Sequence, residues 1–262
     1  MPESKPPQSN AAKKAAGYGK VSKESPDGLI RINRLLSELG IGSRRSVEKL
    51  VTERRVRVDG KLVKELSEKF PRTAKVLVDG KFYEREKRAL YLFHKPKSCV
   101  TTLKDPEGRR CISDYTGPLP QRVYPVGRLD YDVCGLILLT NDGELADSLM
   151  HPSFGVEREY LARVHGIVEV ETADMVRKGF RGRAMNFRVI SFEIRERNDN
   201  REKLVGELKE DQSLVSLVVA EGKKHFVKDL LKAAGHPVIE LARTRFGNYK
   251  LGNLKPGGIK KA

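Results

Sequence analysis

The chain has 262 residues, enough for two domains, and its 51 Lys and Arg against 35 Asp and Glu give a formal charge of +16. That excess points to a polyanionic partner, because each cation that displaces a condensed counterion adds salt-sensitive affinity. No apolar run reaches the roughly 18 residues of a bilayer span, and Cys99, Cys111 and Cys134 form no Cys-x-x-Cys pair, which argues against a membrane protein, a disulfide framework and a structural zinc site.

Reduced thiols, a cytoplasmic location and no metal are therefore expected, the last because the five histidines show no paired-ligand spacing. No Gly-rich phosphate loop is present, and no cofactor is expected. Residues 1–28 are rich in Lys, Pro, Ser, Ala and Gly and read as a disordered basic tail. They hold five lysines against three acids, so most of the net charge lies elsewhere.

Order is expected from Leu29 onward. Ile32, Leu35, Leu36 and Leu39 share one helical face, with Gly40 placed to end the helix. Ser43 is placed to cap a second helix carrying Val47, Leu50 and Val51. Val56 and Val58 then alternate into Asp59-Gly60, a hairpin signal. Eight basic residues (Arg31, Arg34, Arg44, Arg45, Lys49, Arg54, Arg55, Arg57) stand against three glutamates in this helix-helix-hairpin unit.

From its Leu39-Gly40-Ile41-Gly42-Ser43-Arg44-Arg45 joint to its Val56-Arg57-Val58-Asp59-Gly60 end, the unit resembles an S4 domain, a small RNA-binding module. The resemblance implies RNA contacts from Arg31, Arg34, Arg44, Arg45 and Lys49. Residues 64–88 are read as finishing the module and as a charged linker, so the module with its linker spans 29–88.

A larger domain is expected over 89–262. Residues 90–93, 135–140, 160–164, 189–194 and 214–219 read as strands, and 144–150, 171–178 and 224–234 as helices. Strands with few intervening helices favour an α+β fold with a mixed, mainly antiparallel sheet. The charged turn Gly127-Arg128-Leu129-Asp130 opens onto the apolar run 135–140 and sets a carboxylate at the mouth of a buried strand.

Tyr124-Pro125-Val126-Gly127-Arg128-Leu129-Asp130, Asp142-Gly143-Glu144-Leu145-Ala146, Leu149-Met150-His151-Pro152 and Glu157-Arg158-Glu159-Tyr160 follow one another as in one group of ribosomal RNA pseudouridine synthases, which the chain resembles over about 29–260. That group comprises synthase A of the small ribosomal subunit and synthases B, E and F of the large one. Asp105-Pro106-Glu107-Gly108-Arg109, Arg245-Phe246-Gly247 and Leu251-Gly252-Asn253-Leu254 extend the match, which is most like the synthase B type.

The resemblance implies a monomeric isomerase of ribosomal RNA that cleaves a uridine's glycosidic bond, turns the uracil and rejoins it through carbon 5. Asp130 would be the nucleophile or the group that stabilises the detached sugar. It must be ionised in either role, which calls for a nearby cation. Lys228 matches the family's basic partner for that aspartate, on a helix whose flank carries Lys224 and His225. Tyr160 would stack on the base or take its carbon-5 proton, and Arg128 would fill the gap left by the flipped base.

Two departures stand out. Val133 replaces the family's Thr or Ser, removing a hydroxyl that would fix the turn. Phe226 replaces a Gln, and Asp229 a basic residue. They motivate a second reading, a catalytically silent RNA-binding or ribosome-assembly factor. A third, metal-dependent RNA hydrolysis through Asp130 and Asp132, lacks further ligands at suitable spacing.

Overall fold

The computed structural model describes residues 28–182, 186–196 and 199–262. The basic tail expected over 1–28 lies outside them, Gly28 excepted.

The first module contains β1 (Leu29–Arg31), α1 (Ile32–Glu38), α2 (Arg44–Thr52), β2 (Val56–Val58), β3 (Lys61–Leu62), β4 (Lys69–Pro71), β5 (Val76–Val78) and β6 (Lys81–Tyr83). α1 buries Ile32, Leu35 and Leu36, and Gly40 follows it at a φ of +76°, a conformation that favours glycine. The Ser43 hydroxyl accepts from the Ser46 N–H and caps α2, which buries Val47 and Val51 against the same core. Asp59 and Gly60 both have positive φ, as a tight two-residue hairpin turn requires.

The sheet runs β3-β2-β5-β6, while β1 pairs with β4. The stretch read as module end and linker therefore supplies three strands of the module, including β5, whose Val76 and Val78 are core residues. A second Asp-Gly hairpin, Asp79-Gly80, joins β5 to β6.

The second domain follows with β7 (Leu90–Lys95), α3 (Ser113–Thr116), β8 (Tyr124–Val126), β9 (Cys134–Thr140), α4 (Gly143–Met150), β10 (Arg158–His165), α5 (Val170–Lys178), β11 (Phe180–Arg181), β12 (Asn186–Phe187), β13 (Ser191–Arg195), β14 (Gln212–Val219), α6 (Phe226–Ala233), β15 (Val238–Phe246), β16 (Tyr249–Lys250) and β17 (Ile259–Lys261). Its main sheet runs β13-β14-β10-β15-β9-β7-β17, with β8 on β9 and β16 on β15. Among the described strand pairings of this sheet, only β15–β9 is parallel. The architecture is α+β with a mixed, mainly antiparallel sheet, as the element order predicts.

β9 is buried along its whole length. Ile137 and Leu139 join a core with Phe93 and Ala162, while Leu136 and Leu138 join another with Val126, Ala146 and Leu149. Burial on both faces explains why the run reads as continuously apolar rather than alternating. Where β9 begins, Gly135 (φ +110°) presses so close to β15 that a Cβ would collide with the Arg243 backbone.

Two differences from expectation bear on the site. β15, not read as a strand from sequence, is central and joins β10 to β9. α6 starts at Phe226 rather than Lys224, because His225 takes a left-handed conformation (φ +58°) that a helix cannot continue through.

The two domains meet at the start of α4. The Asp142 carboxylate accepts from the Glu144 and Leu145 N–H groups and caps that helix. Arg72 and Arg34 pair with Glu144, and Arg88 lies 3.0 Å from Asp142. Burial raises the Glu144 carboxyl's pKa, but Arg72, Arg88 and Arg34 together outweigh it and hold the carboxyl below the usual range. The Arg122 guanidinium adds a bond to the Gly42 carbonyl at 3.3 Å.

Candidate active site

The turn between β8 and β9 carries Asp130 and is held from within and by the loop after β7. Within it, the Val133 N–H donates to the Asp130 carbonyl at 3.2 Å. From the loop after β7, the Ser98 N–H donates to the Tyr131 carbonyl at 2.9 Å. The buried Thr101 hydroxyl donates to the Leu129 carbonyl at 2.6 Å and accepts from the Leu129 N–H at 3.2 Å. The hydroxyl absent at Val133 thus has a counterpart at Thr101, which braces the residue immediately before Asp130.

Lys95, fully buried at the end of β7, tightens the same loop by donating to the Pro96 and Cys99 carbonyls at 2.9 and 2.8 Å. Burial depresses its pKa to about 8.

Beside the turn lies a cavity of about 370 Å³, within the range typical of small-ligand sites. Asp130 and Tyr160 line it, with Val133, Phe226, Leu241 and Phe246 as apolar wall. Exposed Arg128, Lys223 and Lys224 stand around it.

Asp130 faces two basic groups. Its Oδ2 lies 3.6 Å from Lys228 Nζ and 3.6 Å from His225 Nε2. Lys228 does not hydrogen-bond to Asp130. It bonds both carboxylate oxygens of Asp132 at 2.8 Å. Partial burial raises the Asp132 pKa, but Lys228 outweighs that and leaves it lowered. Coulomb attraction scales as the inverse of distance, so an ammonium at 3.6 Å feels only about a fifth less pull than one at 2.8 Å. Lys228 therefore acts on both carboxylates from one position.

Six of the residues singled out from sequence, Asp130, Tyr160, Lys228, Arg128, Lys224 and His225, line this one cavity. Lys224 and His225 reach it from the loop before α6 and not from a helix flank. Arg31, Arg44, Arg45 and Lys49 lie exposed on the first module. Arg34 is less exposed: its guanidinium is held by Glu38 at 2.9 Å and Glu144 at 3.5 Å, so it joins the two domains.

The departures from the family pattern are accommodated internally. Val133 and Phe226 are both buried in the main core, Phe226 with its ring 5.7 Å from that of Phe187. Neither displaces Asp130, Tyr160 or Lys228 from the cavity. Asp132, spent on Lys228, is unsuited to the metal-hydrolysis reading. Among the described residues no three His, Cys, Asp or Glu side chains come together as a metal site would need, and none of their helices is long and apolar enough to cross a membrane.

The sequence pattern does not mark Thr101 or Arg243, and it marks Lys95-Pro96 only as part of the family resemblance, with no role for the lysine. Thr101 acts across 28 residues of chain, and nothing in its neighbourhood marks Leu129 as a partner. Arg243 lies in a strand that its own charge helped to disguise.

Comparison with known proteins agrees with the fold. The sequence profile described as RNA pseudouridylate synthase matches residues 89–233, and the S4 domain profile matches 30–73. A Bacillus subtilis protein, "Ribosomal large subunit pseudouridine synthase B", is 34% identical over 232 residues, covering 88% of this chain and 91% of its own. An Aquifex aeolicus "Uncharacterized RNA pseudouridine synthase" is 38% identical over 235 residues, covering 87% of this chain and 88% of its own. A solved "pseudouridylate synthase" superposes with a TM-score of 0.58 at 23% identity, over 89% of this chain and 96% of that one, which supports the fold.

The chain belongs to the RNA pseudouridylate synthase family, with an S4 RNA-binding domain ahead of the synthase domain. It is an isomerase of that class.

Proposed function

We propose that this enzyme acts as a monomer in the cytoplasm and converts one uridine of large-subunit ribosomal RNA to pseudouridine. The B. subtilis relative's name supports the RNA class, and the placement of Asp130 beside Tyr160 and Lys228 at one cavity carries the assignment of roles.

The target base leaves its stack at a cost of a few kcal/mol and enters the cavity, with Arg128 at the mouth to occupy the vacated gap. Arg31, Arg44, Arg45 and Lys49 of the S4 module grip phosphates on the flanking RNA. The bond between ribose C1′ and uracil N1 breaks, and its electron pair leaves with the uracil. Asp130 either bonds to C1′ or stabilises the positive sugar beside it. The uracil turns and carbon 5 bonds to C1′, displacing Asp130 where it had bonded there. N1 takes up a proton and the carbon-5 proton is lost, so the product is an isomer of the substrate. Tyr160 is placed to stack on the ring or to take that proton, while Lys228 balances the aspartates.

The test is reverse-transcription mapping of pseudouridine after carbodiimide labelling, on unmodified large- and small-subunit RNA. Wild-type protein is expected to create a new stop on large-subunit RNA. Asp130→Asn should bind the RNA but create none, since a catalytic group of this kind carries much of the roughly 8 kcal/mol or more by which enzymes lower barriers. Full activity in Asp130→Asn would remove it from the mechanism. Tight binding with no stop from the wild type would instead identify a silent binding factor.

A further inference from the structure

Arg243 sits in β15 directly opposite Tyr160 of β10. The pairing depends on a β-bulge: Glu159 pairs with Arg245 and Tyr160 with Arg243, so Thr244 is the extra residue. Bulges beside active sites re-aim side chains, and this one sets Arg243 and Tyr160 side by side in the cavity wall.

Arg243 is 2% exposed and its guanidinium is firmly anchored. Its Nε donates to the Leu136 carbonyl at 2.7 Å, and its face lies 4.8 Å from the centre of the Phe246 ring. Arg158 stacks on the same ring at 4.8 Å, but its terminal nitrogens donate to the carbonyls of Val156, Ala220 and Leu149. Arg243 differs. Among the described residues, its Nη2 is the one buried side-chain nitrogen or oxygen with no hydrogen-bond partner. A buried donor left unpaired is costly, and such groups in native proteins call for an explanation.

Resting on the proposed reaction, we propose that Arg243 is a substrate-contacting catalytic residue, whose Nη2 donates a hydrogen bond to a carbonyl oxygen of the target uracil. When the glycosidic bond breaks, the uracil takes the electron pair, and the charge spreads from N1 to its carbonyl oxygens. A fixed cationic donor already stripped of water stabilises that charge without reorganising. A backbone phosphate is the other acceptor in reach of an arginine. It fits less well, because Arg243 lies among Tyr160, Leu241 and Phe246, whereas the exposed Arg128, Lys223 and Lys224 are the cations a phosphate would meet first.

The test uses the full-length protein and an unmodified transcript of its rRNA target in single-turnover assays, with Arg243→Met and Arg243→Lys beside wild type. Arg243→Met is expected to slow pseudouridine formation about 100-fold while RNA affinity changes little, and Arg243→Lys to recover part of the rate. RNA carrying 2-thiouridine or 4-thiouridine at the target weakens one carbonyl acceptor at a time. Wild type should slow on one of the two by about tenfold, and Arg243→Met should show no further loss on that same RNA.

Several outcomes overturn the proposal: an Arg243→Met rate close to wild type, or an affinity loss with a shallower salt dependence, which would mark a phosphate contact. Equal wild-type rates on the oxygen, 2-thio and 4-thio RNAs would also do so, and this arm needs no variant to fold. If the wild type makes no pseudouridine on any RNA, the parent reading has failed and this inference falls with it.

Discussion

Replacing Thr101 with valine tests whether the aspartate turn is positioned from outside itself. Valine matches threonine closely in shape but removes the hydroxyl that both donates to the Leu129 carbonyl and accepts from its N–H. Thr101 is buried, so water does not readily replace the lost partner. Each orphaned backbone group costs about 1–3 kcal/mol, and relaxation of the turn recovers part of that, so a destabilisation of about 3 kcal/mol is expected. Leu129 precedes Asp130 directly, and displacement of a reacting group by about 1 Å lowers rates by about 100-fold. The assay is urea unfolding together with single-turnover pseudouridine formation. Thr102→Val serves as the control, because that hydroxyl bonds only within its own loop, to the Lys104 carbonyl and N–H. A Thr101→Val protein that keeps both its stability and its rate would refute the claim that this hydroxyl positions the turn.

Two further outcomes follow from charge. Arg44→Gln with Arg45→Gln should weaken binding across RNA sequences and reduce the slope of log affinity against log salt by about 0.7–0.9 per lost phosphate contact, measured by filter binding at several ionic strengths; an unchanged slope would exclude them as phosphate contacts. For Lys95, the folded pKa of about 8 lies below its ordinary 10.5, so between those values the unfolded chain holds more protons and stability rises with pH. Relative to Lys95→Met, wild type should gain up to about 3 kcal/mol between pH 8 and 10.5, read from denaturation curves of both proteins, and parallel pH profiles would contradict a buried lysine.

How far the sequence revealed this molecule depends on whether its signals were local. The S4 helices were legible because apolar spacing, the Ser43 cap and Gly40 act within a few residues. The hairpin at Asp59-Gly60 was read, whereas that at Asp79-Gly80 was not, although its turn chemistry is the same. The strands of both hairpins are only two or three residues long, and the second pair lies in a stretch, 64–88, so dense in charge that it reads as a linker. The aspartate turn was legible because Gly127-Arg128-Leu129-Asp130 abuts the apolar β9. The pairing of Lys228 with Asp132 was not, since it joins positions 96 residues apart and depends on where α6 lands.

β15 shows the remaining limit most clearly. Its sequence places Arg243 and Arg245 within the strand, and arginines are rarely buried unless paired. Arg243 is nevertheless almost fully buried, with one donor unpaired beside the cavity. Lys95, Thr101 and Arg158 are likewise buried polar groups, and each bonds backbone carbonyls close to the aspartate turn or the cavity wall. A sequence rule that places polar residues outside fails at all four positions. Folding alone would favour apolar residues there, so buried polarity at the aspartate turn and in the cavity wall is itself an argument that the site was shaped for chemistry. Three of the four satisfy their donors within the protein. Arg243 keeps one in reserve, and it is the position where this reasoning can be tested against the substrate.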